Sequence, residues 1–140
     1  MSEHEEYVDQ LIGKTFEGLW VSNDGETTLR IDYDGISVYL YTEGDCCSES
    51  WWADILGAQS CLGGEITGFR ELDMPNPDDG LGRSRQEYDI VYGFALDTTK
   101  GTVTLAFRNS SNGYYGGWAE FAHDSWITDW VEIDTNNWSA

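Results

Sequence analysis

Residues 27–42 read Thr-Thr-Leu-Arg-Ile-Asp-Tyr-Asp-Gly-Ile-Ser-Val-Tyr-Leu-Tyr-Thr, and this stretch gives the clearest indication of the fold. Leu29, Ile31 and Tyr33 alternate with polar side chains, and the side chains alternate again over residues 36–42. Such a period of two is typical of antiparallel strands with different faces. The Asp34-Gly35 pair between the two runs is typical of a two-residue hairpin turn. The stretch therefore predicts a β-hairpin.

Further strands are predicted on both sides of this hairpin. Residues 16–21 lead into Asp24-Gly25, a second hairpin signal, so the first three strands form a meander. The other predicted strands span residues 65–72, 88–96, 102–107 and 118–122. Together they predict an α+β, mainly β fold: a single antiparallel, partly curled sheet of about seven strands with one or two short flanking helices.

Helices are predicted at two places. Ser2 and Glu5 form a capping box, which predicts an N-terminal helix over residues 1–13 that Gly13 can end. A short helix is predicted over residues 48–57, capped by Asp45 or Ser48 and ended by Gly57.

The 140 residues suit one domain with a real core. Its parts are the N-terminal helix (1–13), a β-rich core (14–122) that contains the short helix, and a Trp-rich acidic tail (123–140). Trp126 and Trp130 lie four residues apart in this tail, and Ser125 can begin one or two helical turns there.

The charge is strongly unbalanced. Seven Lys and Arg against 26 Asp and Glu give a formal net charge of −19. Such a field repels nucleic acid, which basic residues must neutralise, so direct nucleic-acid binding is not expected. A basic protein partner, cation binding and simple solubility all suit it. Three Cys, no apolar leader after Met1 and no membrane-length apolar run predict a cytoplasmic, reducing setting without membrane association.

No pattern of catalytic or metal-binding residues is found in the sequence. His4 and His123 lie far apart, and Cys46, Cys47 and Cys61 lack the spacing of a zinc site. The nucleophile-elbow, Walker and dinucleotide fingerprints are missing as well. We therefore expect a non-enzymatic protein with no cofactor and no metal.

Two polar loops, residues 44–50 and 109–117, are unusual. Glycines there permit close backbone approach, and a loop that enters a helix offers N–H groups to an anion. Ornate turns above small buried cysteines are an equally open interpretation. The candidate ligand-binding residues are Asp45, Cys46, Cys47, Ser48, Arg108, Asn109, Ser110, Asn112, Gly113, Tyr114 and Tyr115. Arg83 and Arg85 form a basic pair in a third loop and either bind a phosphate or neutralise nearby acids.

The segments Glu-Gly-Asp-Cys-Cys-Ser-Glu-Ser-Trp (43–51), Thr-Thr-Lys-Gly (98–101) and Arg-Asn-Ser-Ser-Asn-Gly-Tyr-Tyr-Gly-Gly (108–117) carry a family resemblance. With them, the chain resembles an uncharacterised family of short phage and prophage proteins, a domain of unknown function. The resemblance implies a phage origin, a small cytosolic β-rich domain and no assigned reaction. Small phage proteins of that kind often counter host defence, some by sequestering cyclic nucleotides in oligomers.

The expected function is therefore counter-defence by binding a small, nucleotide-like ligand between the two loops in the host cytoplasm, with a homo-oligomer as one possible form. Two alternatives stay open. One is an acidic DNA mimic that inhibits a basic host defence protein, such as a nuclease or CRISPR effector. The other is a virion accessory protein.

Overall fold

The computed structural model describes residues 3–44, 49–72, 88–111 and 117–140. These residues form one helix and ten strands in chain order. The elements are α1 (Glu3–Leu11), β1 (Phe16–Ser22), β2 (Thr28–Tyr33), β3 (Ile36–Gly44), β4 (Glu49–Leu56), β5 (Ile66–Leu72), β6 (Tyr88–Thr98), β7 (Gly101–Ser111), β8 (Gly117–Ala122), β9 (Trp130–Glu132) and β10 (Asn137–Ser139).

The strands of the described residues form two antiparallel sheets of five strands each. The first sheet has the order β8-β3-β2-β1-β9 and the second the order β10-β4-β7-β6-β5. The mainly β prediction is confirmed, whereas the prediction of one seven-stranded sheet is wrong in this respect. Each sheet has one apolar face, and two such faces are buried most fully when the sheets pack on one another.

The predicted meander is confirmed. Strands β1, β2 and β3 pair in sequence, with Leu29 opposite Leu40 and Ile31 opposite Val38. Asp34 and Gly35 both have positive φ values, 47° and 75°, as the turn signal requires.

The predicted helix over residues 48–57 is wrong, because residues 49–56 form strand β4. This strand pairs with β7 from Glu49 to Leu56, with a bulge between Trp52 and Asp54. The capping signals depend on neighbouring residues alone. The pairing with β7 instead satisfies the backbone hydrogen-bonding groups along the whole strand and places Trp52 and Ile55 in the core. The predicted caps Asp45 and Ser48 lie outside the described residues.

The tail also differs from its prediction. Residues 123–129 contain no helix, and Ser125 Oγ accepts a bond from the Ile127 N–H at 3.2 Å instead. Strand β9 then pairs with β1 in the first sheet, and β10 pairs with β4 in the second. The tail therefore joins both sheets, because strand pairing satisfies more of its backbone than two isolated helical turns would.

The N-terminal helix is confirmed. It ends before Gly13, whose φ of 86° is typical of a residue that follows a helix. Leu11 is buried in the core, and the Tyr7 ring stacks on Phe121 of β8 with 5.1 Å between centroids. The helix also contacts β5, so it covers the side where the first and second sheets end.

Trp52 links the two sheets at the centre of the core. Its side chain is fully buried, and its ring meets Phe107 edge to face at 5.3 Å. Its indole N–H donates to the carbonyl oxygen of Leu40, in the other sheet, at 3.1 Å. The backbone N–H of Trp52 donates to the Glu26 carbonyl at 2.8 Å. Trp52 therefore sets both the spacing and the relative position of the sheets.

Substituting Trp52→Phe should lower the free energy of unfolding by about 2–4 kcal/mol, because it removes a buried hydrogen bond and leaves a cavity. Trp20→Phe is the matched control, since the half-buried Trp20 indole N–H donates to Asp32 Oδ2 at 2.9 Å on the opposite face of the first sheet. Trp20→Phe should lower the free energy of unfolding by about 1 kcal/mol or less. Urea unfolding followed by circular dichroism measures both, and equal losses would contradict the central role of Trp52.

The turn between β1 and β2 makes part of the stability depend on pH. Burial acts to raise the pKa of Asp24, but hydrogen bonds from Ser22 Oγ at 2.5 Å and Thr27 Oγ1 at 2.9 Å outweigh it and hold this pKa below its usual value. A carboxyl with a lowered folded-state pKa stabilises the fold above its unfolded pKa of about 4, and this contribution is lost as the pH falls through the folded pKa.

We therefore expect the stability difference between wild type and Asp24→Asn to be largest near pH 7 and to shrink below about pH 4. The asparagine keeps an oxygen that can accept the same bonds, so the turn should stay folded. Urea unfolding at pH 7 and pH 3 gives the two differences, and a difference that is the same at both values would refute the assignment.

Candidate functional site

The strands that carry the two polar loops meet at one end of the structure. In the first sheet, Glu43 and Gly44 of β3 pair with Trp118 and Gly117 of β8. In the second sheet, Glu49 and Ser50 of β4 pair with Ser110 and Asn109 of β7. Residues 45–48 and 112–116 therefore both connect the first sheet to the second at this end. We call the strand ends formed by residues 42–44, 49–50, 109–111 and 117 the loop end.

Three of the predicted ligand-binding residues lie among the described residues, and all three belong to β7 rather than to a loop. They are Arg108, Asn109 and Ser110. Because side chains alternate along a strand, Asn109 faces the other sheet, whereas Arg108 belongs to the opposite face of its own sheet. The other eight candidates lie outside the described residues: Asp45, Cys46, Cys47, Ser48, Asn112, Gly113, Tyr114 and Tyr115. Arg83 and Arg85 lie outside them as well.

A short hydrogen-bond chain ties the two sheets together at the loop end. The fully buried Asn109 donates from Nδ2 to Ser50 Oγ at 2.8 Å, and Ser50 Oγ donates to the Glu43 carbonyl at 3.3 Å. Thr42 Oγ1 donates to the Thr27 carbonyl at 2.9 Å and also lies 3.3 Å from the Ser50 carbonyl. These contacts connect β7 to β4 and β4 to β3, so they fix the strand ends from which both loops leave.

The oxygen atom of the Asn109 side-chain amide has a different environment from its nitrogen atom. Its Oδ1 atom is buried and has no hydrogen-bond partner among the described residues. A buried acceptor left without a donor costs about 1–3 kcal/mol. Arg108, which is 8% exposed, is the next residue on β7 and lies opposite Trp51. The loop end thus contains a buried amide, and a buried arginine precedes it on β7 with its side chain on the opposite face of the sheet.

A second site lies on the outer face of the first sheet. Strands β8 and β9 form opposite edges of this sheet, about 19 Å apart at the usual strand spacing, so residues 123–129 must cross it. We call them the crossover segment. Its far end is held by Asn23, whose N–H donates to the Asp129 carbonyl at 3.0 Å and whose Nδ2 donates to Asp129 Oδ2 at 2.9 Å. Next to it, the Trp130 ring lies 5.5 Å from that of Tyr39.

The crossover segment and the sheet enclose a cleft of about 390 Å³, which we call the outer cleft. Tyr39 and Tyr41 alternate with the core residues Val38 and Leu40, so they face this cleft rather than the core. The residues that line it include Thr28, Tyr39, Tyr41 and Glu43 from the sheet side and Asp124, Ser125 and Trp126 from the crossover segment. None of the described residues that line it is Lys or Arg.

Trp126 is 87% exposed at the outer cleft, an unusual position for the largest apolar side chain. Beside it, the Tyr41 hydroxyl donates to Glu120 Oε2 at 2.6 Å. Sequence reasoning missed this site, because it expected Trp126 and Trp130 on successive helical turns. The sequence did show a high density of Trp and Asp in the tail. However, only the order of the strands shows that the tail crosses the first sheet.

A smaller cleft of about 330 Å³ lies between α1 and β5. Its lining includes Glu5, Asp9, Phe69 and Arg70. Arg70 donates from Nε to Asp97 Oδ2 at 2.9 Å, and this bond lowers the pKa of Asp97. The cation of this cleft therefore already has a carboxylate partner.

Among the described residues, no group of three or more His, Cys, Asp or Glu side chains is placed to hold a metal ion. No helix there has the length and apolar character needed to cross a membrane.

Comparisons with known proteins give a family and one viral relative. The family described as "Domain of unknown function (DUF7448)" matches residues 9–121, which include the span from Glu43 to Trp118 that carries the resemblance. The chain is 37% identical over 87 residues to "Uncharacterized protein L278" of Acanthamoeba polyphaga mimivirus. This match covers 58% of the chain and 64% of the relative, so the chain spans less than two thirds of that protein. No solved structure gives a significant match.

The hydrogen bond between Asn109 and Ser50 predicts energetic coupling at the loop end. Asn109→Ala should cost about 1–3 kcal/mol of stability, and the double mutant with Ser50→Ala should show a coupling energy of about 0.5–1.5 kcal/mol. Ser139→Ala is the control partner, since Ser139 bonds Asp54 in another part of the second sheet. Its effect should add to that of Asn109→Ala within about 0.5 kcal/mol. Urea unfolding gives all values, and additivity of the Asn109 and Ser50 substitutions would disprove the coupling.

Proposed function

The chain belongs to the family of unknown function DUF7448, and we propose that it is a non-enzymatic protein that binds a small, polar, nucleotide-like ligand at the loop end. The observation that supports this proposal is the register of four strands. It brings the ends of β3, β4, β7 and β8 together, so that both polar loops leave from one place. Two loops that are distant in the sequence can then act on one ligand.

The described residues supply a base for such a site. Ser50 and Asn109 place a hydroxyl and a buried amide below the loops, and the Asn109 Oδ1 atom has no partner among the described residues. Because residues 49–56 form a strand, no helix N-terminus is present there to bind an anion. On this proposal, backbone N–H groups of the two loops themselves contact phosphate or hydroxyl groups of the ligand. Tyr114 or Tyr115 would stack on a base, a contact that any base can make.

The net charge sets a condition on this proposal. With −19 charges, the protein repels an anionic ligand at long range, so the binding site must be locally positive or the field must be screened. Two of the described cations are already paired, because Arg30 bonds Asp32 and Arg70 bonds Asp97. Arg108 is close to the end of β7, but it lies on the opposite face from Asn109 and already has an interaction within the protein. Arg83 and Arg85 would add positive charge if their loop contributes.

The biological setting is part of the same proposal. A relative encoded by a mimivirus supports a virus-encoded protein, and we propose that this chain acts against host defence in the cytoplasm of the infected cell, as its resemblance to phage proteins implies. Sequestering a nucleotide signal requires only tight binding, so no catalytic residues are needed.

The geometry of the described residues favours neither alternative, the acidic DNA mimic or the virion accessory protein. A DNA mimic needs carboxylates gathered on one face. Among the described residues, exposed carboxylates lie on α1, on both sheets and in the tail, at Glu5, Glu17, Asp54, Glu71 and Asp134 among others. Inhibition of a basic host protein and a role in the virion therefore stay predictions from the sequence.

Native mass spectrometry of protein purified from host cells tests the proposal. We expect a retained small molecule that is released by mild denaturation, and its mass and stoichiometry identify the ligand and the oligomeric state. Cyclic dinucleotides and cyclic ADP-ribose added to stripped protein should raise its stability, by about 2.7 kcal/mol at a hundredfold excess over Kd.

The variant with Tyr114→Ala and Tyr115→Ala should lose retention, because stacking contributes about 1–3 kcal/mol per base. Trp126→Ala is the control, since it changes an aromatic residue of the outer cleft, and it should retain the ligand. Absence of both a retained molecule and any stabilisation by the nucleotide panel would end the proposal.

A further inference from the structure

We propose that the outer cleft binds a small organic ammonium cation of the alkylammonium or polyamine class. The outer cleft shares Thr42 and Glu43 with the loop end, but this inference does not depend on the loop-end proposal. The aromatic residues of the cleft, the sign of its charges, and its size and rigidity favour this class of ligand.

The aromatic residues give the cleft its chemical character. Tyr39 and Tyr41 lie on the sheet side, and Trp126 lies on the crossover segment with 87% of its surface exposed. The face of an aromatic ring carries a negative potential that attracts ammonium groups, and Trp attracts them most strongly. Covering Trp126 with the methylene groups of a ligand would also remove apolar surface from water. A cation with an apolar stem makes both interactions.

The charges of the cleft select a cation over an anion. Glu43 lines it from the end of β3, and Asp124 lines it from the crossover segment. Glu120 lies one strand away and bonds the Tyr41 hydroxyl. None of the described lining residues carries a positive charge, and the protein as a whole carries −19. Both the local and the long-range field therefore attract an ammonium group and repel a phosphate.

The size of the cleft suits a small molecule. Its volume of about 390 Å³ lies at the lower end of the range of about 300–1,000 Å³ found for small-molecule sites. Its far wall is anchored, because Asn23 makes two hydrogen bonds to Asp129 and the Trp130 indole N–H donates to the Ile127 carbonyl at 3.2 Å. A preformed wall lowers the ordering cost of binding. A linear diamine or triamine could place one ammonium group near Glu43 and another near Asp124.

Isothermal titration calorimetry with spermidine on the full chain tests this inference. We expect binding that weakens as salt is added, because the interaction is ionic in part. Trp126→Ala should weaken binding about two- to fivefold, the usual size of an exposed cation–π contact. The fold should be unaffected, since the side chain is exposed. Asp124→Asn should weaken binding by a similar factor.

Asp134→Asn is the matched control for charge. It changes the net charge as Asp124→Asn does, and it alters an exposed tail carboxylate outside the cleft lining. It should leave the affinity unchanged within about twofold. The indole N–H resonance of Trp126, assigned by its loss in the spectrum of Trp126→Ala, should shift on addition of spermidine.

Four outcomes would overturn the inference. If Asp134→Asn weakens binding as much as Asp124→Asn, or if Mg²⁺ at equal ionic strength displaces spermidine fully, the attraction is diffuse. If a neutral disaccharide shifts the Trp126 resonance and spermidine does not, the cleft is a carbohydrate site. If a lysine-rich peptide binds through Trp126 but spermidine does not, its occupant is a protein.

Discussion

The contact between Trp52 and the carbonyl oxygen of Leu40 is the constraint on which the rest of the structure depends. It joins the two sheets by a buried hydrogen bond, and the aromatic packing around it excludes water from the bond. Leu40 lies on β3 between Tyr39 and Tyr41, so the same bond that centres the core also positions the floor of the outer cleft. Three residues further along β3, Glu43 accepts the Ser50 bond at the loop end. One strand therefore carries the core contact and borders both candidate sites.

The connections between the sheets explain why both sites lie where they do. The chain passes from the first sheet to the second after β3 and returns after β7, which gathers two distant loops at one end. After β8 the chain crosses the first sheet to form β9, because β8 and β9 are at opposite edges of that sheet. Only then does it leave the first sheet. That crossing covers polar and aromatic side chains without filling the space above them, and the space is the outer cleft.

The sequence predicted the features that depend on neighbouring residues. The Asp34-Gly35 turn and the alternation around it set the meander, and Gly13 ends the helix. It did not predict β4, because Ser and Asp cap signals before Trp51 and Trp52 are local, whereas pairing with β7 joins residues that are 48 (Leu56 to Thr104) to 61 (Glu49 to Ser110) positions apart. The same limit applies to the sites. Composition identified two unusual loops. It also assigned Arg108 and Asn109 to one binding site, whereas these successive residues of β7 face opposite sides of the sheet. The outer cleft depends on sheet order, which no local pattern reports.

The ligands proposed for the two candidate sites carry opposite charges, and the dimensions of β3 set how far apart the two local fields can lie. From Tyr39 to Gly44 the strand rises about 17 Å at the usual 3.3 Å per residue. Exposed charges farther apart than the Debye length, about 8 Å at physiological salt, are largely screened from one another. Glu43 lies next to Gly44 and therefore acts on the loop end as well as on the outer cleft. Only charges at the Tyr39 end of the cleft are screened from the loop end. Arg108, buried near the end of β7, is less screened than a surface arginine, but it lies on the face of its sheet opposite to Asn109. Local placement of charge, rather than the net value of −19, decides what each site can hold.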